Sequence, residues 1–130
     1  MKIISQILLL SLILVISCDK DSVSSEEESF SVIGDWNVYF NNTGSWVLNN
    51  MYKIKNDGKI DIYSNGSFLV SWFYYYCEDS NIFQYGGFDF DGNCDCISDP
   101  ASQKVTTEGL TIFYWTTCSG NSPHVKFVKS

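Results

Sequence analysis

The chain has 130 residues, with 15 Asp and Glu against 8 Lys and Arg and a formal net charge of −7 at pH 7. Every cation is lysine, and an acidic chain without arginine argues against nucleic acid and anionic membrane surfaces, which both select basic patches. The sequence contains no Gly-x-Ser-x-Gly, no phosphate loop and no nucleotide fingerprint, so no enzyme and no cofactor are expected.

The first element is a leader. Met1 and Lys2 supply positive charge, and Ile3 to Ile16 form an apolar run broken only by Ser5, Gln6 and Ser11. The run is shorter than the ~20 apolar residues that span a bilayer and has the form of a signal peptide. It ends in Val15-Ile16-Ser17-Cys18, which resembles the lipobox of bacterial lipoproteins. The resemblance implies removal of residues 1–17 and lipidation of Cys18. The membrane is then a partner through that lipid, and the location is the bacterial cell envelope, at the outer membrane. Residues 18–29 follow as a polar tether that cannot bury enough surface to order itself. At ~5–6 Å × √n the eleven residues after Cys18 span roughly 17–20 Å. Acidic, Ser-rich segments of this kind resemble the surface-export signals of Bacteroidota lipoproteins. Residues 30–130 form one domain.

From Phe30 onward aromatic and β-branched residues dominate, which favours strands. Turn signals recur at Asn41-Asn42-Thr43-Gly44, Asp57-Gly58, Asn65-Gly66, Gly86-Gly87, Asp91-Gly92, Glu108-Gly109 and Ser119-Gly120-Asn121. The pattern predicts strands at Ser31–Phe40, Val47–Lys55, Lys59–Tyr63, Ser67–Cys77, Ile82–Phe90, Val105–Thr107, Leu110–Thr117 and His124–Lys129, with a two-residue turn at Asp57-Gly58 and an irregular loop at Asn93–Lys104. About eight short strands joined mostly by short turns predict an all-β fold: a small antiparallel up-and-down barrel or meander, with a β-sandwich as the alternative. Alternation places Trp72, Tyr74 and Tyr76 on one face of the fourth strand, and Leu110, Ile112 and Tyr114 on one face of the seventh.

Gly34-Asp35-Trp36 opens the first strand. Glycine lets the chain turn tightly into the strand, and tryptophan plugs the end of a small barrel with a large apolar ring. The motif resembles the Gly-x-Trp signature of lipocalin and lipocalin-like proteins, which implies an up-and-down barrel of about eight strands that binds a small apolar ligand. Lipocalins usually set an Arg or Lys from the end of the barrel over that Trp. Here Lys126 or Lys129 on the last strand would substitute, without the planar stacking of a guanidinium.

Four cysteines remain beyond Cys18: Cys77, Cys94, Cys96 and Cys118. An even number in an exported chain reads as two disulfides. A Cys94–Cys96 ring would be very tight, so Cys77 and Cys118 are each expected to bond one of Cys94 and Cys96. The spacing does not match a structural zinc site. Asp89-x-Asp91-Gly92-Asn93-x-Asp95 resembles the start of a calcium loop, but glycine stands at the fourth place and Pro100 at the twelfth, where a bidentate Glu is required. A solvated hairpin tip is favoured over weak calcium binding by Asp89, Asp91, Asn93 and Asp95. The single histidine, His124, is expected on the surface.

The functional expectation is a lipid-anchored, extracytoplasmic lipocalin-like domain that binds a small apolar ligand. Trp72, Tyr74, Tyr76 and Tyr114 would line its cavity, and Trp36 would close one end. The alternative is a protein-binding module, an inhibitor or immunity-type lipoprotein or an accessory subunit of an outer-membrane complex. Its mark would be a filled barrel with an exposed aromatic patch at Phe73–Tyr75 or Tyr85–Phe88.

Overall fold

A computed structural model describes residues 27–87, 92–96, 102–120 and 122–130. The leader, Cys18 and the tether as far as residue 26 lie outside the described residues, as do Asp89 and Asp91. Eight strands follow one another in chain order: β1 (Gly34–Asn42), β2 (Ser45–Ile54), β3 (Lys59–Ser64), β4 (Ser67–Cys77), β5 (Ile82–Gly86), β6 (Ser102–Glu108), β7 (Ile112–Thr117) and β8 (Val125–Lys129). Each pairs antiparallel with its successor. β8 returns to β1 through Trp36↔Lys129 to Phe40↔Val125, so the sheet closes as a barrel and leaves no open edge along its length.

The turns explain most of this order. Thr43-Gly44 and Asn65-Gly66 each place both central residues at positive φ (50° and 87°, 49° and 78°), the mirror-image turns whose twist matches a strand pair. The β2–β3 connection differs from the expected two-residue turn. The Lys55 N–H donates to the Lys59 carbonyl at 2.9 Å around Asn56, Asp57 and Gly58. Gly58, at φ 81°, takes the left-handed position of this three-residue loop.

Two ends result. The chain enters at the end that also carries the β2–β3, β4–β5 and β6–β7 connections and the C-terminus. Residues 31–33, expected as strand, instead cross that end together with Phe30. The Phe30 ring lies 6.3 Å from Trp36 and 5.7 Å from Phe113, and Trp36 Nε1 donates to the Val32 carbonyl at 2.8 Å. Lys129 Nζ sits 5.7 Å from the Trp36 ring centroid, while Lys126 lies over Tyr114 on the outer wall. Gly34 enters β1 at φ 144°, which only glycine adopts without strain. This end is closed.

The core is aromatic and reaches across the barrel. Phe113 and Phe127 stack at 4.1 Å, Tyr52 lies 5.8 Å from Phe127 and 6.5 Å from Trp115, and Phe83 lies 5.1 Å from Trp115. Tyr52 and Trp115 come from β2 and β7, so their contact spans the interior rather than joining neighbouring strands.

Two disulfides, Cys77–Cys94 and Cys96–Cys118, pin the β5–β6 connection to the outer wall. Gln84 Nε2 donates to the Asp95 carbonyl at 3.5 Å, and Gly92 packs beside the Tyr75 ring. This strap explains why Ile82 and Gln84 are buried although they alternate with inward Phe83 and Tyr85. It also accounts for Ser102–Lys104, expected in the loop. These polar residues pair with Gln84, Phe83 and Ile82, and Ser102 and Gln103 are buried there, so tertiary pairing overrides weak strand propensity.

Non-reducing peptide mapping is expected to recover Cys77 linked to Cys94 and Cys96 linked to Cys118; a Cys77–Cys118 peptide would contradict the strap. Trp36→Ala should cost about 3–5 kcal/mol in urea unfolding, the range for deleting a fully buried large aromatic.

Candidate functional site

Above the sealed floor the inner wall changes character. At the closed end Trp36, Val38, Ile60, Phe83, Phe113 and Phe127 are wholly buried. Toward the other end Phe40, Asn50, Val70, Trp72 and Tyr85 lie on inward registers yet remain partly exposed, Phe40 at 36%. An inward side chain touched by solvent marks a mouth. Trp72 stacks on Tyr85 at 5.6 Å, and Tyr85 stacks on Trp115 at 4.7 Å, so β4, β5 and β7 present a continuous run of rings. Tyr52 and Trp115 form the base beneath the mouth.

Neutral polar groups converge at this level. The Asn50 side chain bonds the Tyr52 phenol, and burial, reinforced by neighbouring Tyr85, pushes that phenol up to about 12. Burial also raises Tyr85. Both phenols therefore stay protonated at neutral pH and can donate. The Trp115 indole N–H is buried without a hydrogen-bond partner among the described residues, a costly state for a donor. Above Trp36 the inward registers of the described residues carry no Asp, Glu, Lys or His. Such a surface suits an uncharged, mainly apolar ligand with hydrogen-bond acceptors.

The residues singled out from sequence distribute as follows. Trp36 is the floor. Trp72 lines the mouth. Tyr74 and Tyr76 point inward nearer the closed end, where with Val32, Asn56 and Glu78 they border a recess of about 240 Å³; the Tyr74 hydroxyl donates to the Lys55 carbonyl and the Tyr76 hydroxyl bonds Asn81 Oδ1 at 3.0 Å. Tyr114 lies on the outer wall, where it bonds Glu108 Oε2 at 2.7 Å and faces Trp46. The expected inward face of β7 is thus corrected. Leu110, which suggested it, belongs to the turn before the strand and is exposed, whereas Phe113 and Trp115 point in. Asn50, Tyr52 and Trp115 join the site without having been singled out, though a Phe113/Trp115 face with two bulky rings was a signal for the last, and Tyr85, expected in an exposed patch, joins it from within.

Of the calcium candidates, Asn93 and Asp95 are described. Asn93 Oδ1 accepts the Asp95 N–H at 3.1 Å, a local turn, and no group of three metal-binding side chains occurs among the described residues. The aromatic patches also change. Phe73 lies outward beneath Lys59, and Tyr75 is partly exposed beside the strap, whereas Tyr85 points inward; Phe88 lies outside the described residues. Among the described residues the most exposed apolar side chains are Val47, Leu48, Phe68 and Leu69, at the hairpin ends around the mouth, where Phe40 is also exposed.

His124, just before β8, is half-buried, and burial lowers its imidazole below the ordinary 6.5. The unfolded chain binds that proton more readily than the folded one, so His124 contributes stability above pH 6.5 that is lost as pH falls through the folded value. The Tm should drop between pH 7 and pH 5, and His124→Asn should remove part of that drop. Asp61, whose carboxyl is held below 3.8 by hydrogen bonds from Ser71 and Lys55, destabilises only at lower pH.

Comparison with protein-family models, with curated proteins and with solved structures gives no match.

Proposed function

We propose that this chain is a lipid-tethered, extracytoplasmic lipocalin-like barrel of the bacterial outer membrane that binds one small, uncharged, mainly apolar ligand in the upper half of its lumen. The carrying observation is the set of inward yet solvent-touched side chains, Phe40, Asn50, Val70, Trp72 and Tyr85, above an interior sealed by Trp36, Phe113 and Phe127. A ligand oxygen reaching the base would give the buried Trp115 N–H the partner it lacks. Gly34-x-Trp36 with Lys129 over the ring supports the lipocalin likeness, and Val15-Ile16-Ser17-Cys18 supports the anchor. The described chain reaches the barrel at its closed end, opposite the mouth, so a lipid on Cys18 would leave the mouth free.

The second reading, a protein-binding module, draws on Phe40, Val47, Leu48, Phe68 and Leu69, whose exposure at one end suits a partner docking around the mouth.

Native mass spectrometry of the unreduced domain after exposure to a bacterial lipid extract separates the two. The ligand reading expects an adduct that is lost on denaturation, weakened by Trp72→Ala, and unchanged by Tyr114→Phe on the outer wall. A clean apo mass would overturn it and leave the protein-binding reading.

A further inference from the structure

We propose that a groove outside the barrel, beside the β1–β2 hairpin, binds a neutral oligosaccharide. The groove shares Asn50 with the mouth of the lumen, but Asn37, Met51 and Tyr63 place it on the outer face of the wall, and the proposal does not depend on a ligand inside the barrel.

The groove has a volume of about 290 Å³, and its walls include Asn37, Leu48, Asn49, Met51, Tyr63 and Asn65. A second depression of about 390 Å³, lined by Phe40 and Val47 on the lumen side of the same hairpin, shares only Asn49 with it. The amides come from three places in the chain: β1, the far part of β2 and the β3–β4 turn. A carboxamide both donates and accepts, as does a sugar hydroxyl, so one amide can satisfy a hydroxyl whichever way that hydroxyl points. Leu48, 57% exposed, supplies apolar surface with Met51 and Tyr63, which suits the C–H face of a pyranose ring.

Charge narrows the ligand class. The chain carries −7 overall, yet no Lys, Asp or Glu occurs from Asn37 to Tyr52 or from Ile62 to Cys77. Lys53 lies over the Tyr63 ring at 5.7 Å and is paired with Asp35 at 3.8 Å. The lining residues of the groove themselves carry no charge, so they favour a neutral ligand over a uronate, sulfate, phosphate or nucleic acid. An apolar peptide would find its amides a desolvation cost; a neutral sugar would find them partners.

The amides are held by backbone geometry. The β1–β2 register shifts between Val38 and Tyr39, which leaves Asn49 as the extra residue of a bulge, a device that re-aims a side chain. Asn65 takes φ 49° in its two-residue turn. Phe68 meets Tyr63 edge-on at 5.7 Å and fixes the ring from the side opposite in sequence.

The test uses the full chain purified in detergent and titrated with cellohexaose, maltohexaose and chitohexaose, with hexagalacturonate as the acidic counterpart. At least one neutral hexasaccharide is expected to bind with Kd below about 1 mM, and the acidic one is not. Asn37→Val suits a strand and Asn65→Gly suits a positive φ, so the double variant should keep its circular dichroism while losing at least tenfold in affinity. Amide chemical-shift perturbation on the unmodified chain locates the site without any variant and should centre on Asn37, Asn49 and Asn65. Absence of binding by all three neutral sugars, equal binding of hexagalacturonate, unchanged affinity in a folded double variant, or perturbation centred elsewhere would each overturn the proposal.

Discussion

The pairing of β8 with β1 places Lys129 opposite Trp36, and the rest of the molecule depends on that closure. An eight-stranded sheet of short strands has two edges unless it closes, and closure brings inward side chains from non-adjacent strands within contact. Trp36 is the piece that lets the closed end exclude water. Its ring packs edge-on against Phe113 at 4.7 Å, its N–H is satisfied by Val32, and Lys129 covers it from outside. Without the Val32 carbonyl the indole would bury an unpaired donor, and without Phe30 the plug would have no apolar cover.

Much of this was legible in the sequence because it rests on local rules. Alternation in Ser67–Cys77 gave β4 with its observed limits, and Asn65-Gly66 gave the turn before it. Gly34 and Trp36 were readable because one backbone conformation and one large ring are demanded there. The disulfide pairing was half legible: a very tight Cys94–Cys96 ring could be set aside, but the choice between the remaining pairings depends on which way the strap runs across the wall. The site was less legible. Face assignment in β7 failed because Leu110 supplied an apolar signal from a turn, and one mistaken residue flips every side chain of a strand. Tyr85 and Trp115 meet across β6, from strands that do not pair with each other, a relation that no single stretch of sequence displays.

The strap solves a problem that the closed barrel leaves open. An outward face holding Ile82 and Gln84 would be a mixed apolar and amide surface, and the segment around Cys94–Cys96 covers it. Two cross-links on one short segment restrict the unfolded chain as well as the folded one; each is worth about 2–4 kcal/mol in the chain-entropy view. For a domain of about a hundred residues, whose core margin is thin, that contribution is comparable to losing or keeping one large core ring. Because the strap lies on the outside, it adds this stability without the described part of it occupying the mouth.

Charge is distributed by end, which ties the fold to what the mouth can do. Asp35, Lys53, Lys55, Asp57, Lys59, Asp61, Glu78, Asp79, Glu108 and Lys129 all belong to the closed end or the connections around it. The pairs among them, Lys55 with Asp61 at 3.0 Å and with Asp57 at 3.8 Å and Lys53 with Asp35 at 3.8 Å, lie at the surface, with only Asp61 partly buried, and contribute little to stability. Their effect is instead to keep that end hydrated. The β1–β2 and β3–β4 hairpins at the other end carry asparagines, aromatics and aliphatics without a charge, whereas the β5–β6 connection there carries Asp95. The two uncharged hairpins can shed water at low cost, and both candidate sites, the lumen and the amide groove, open beside them.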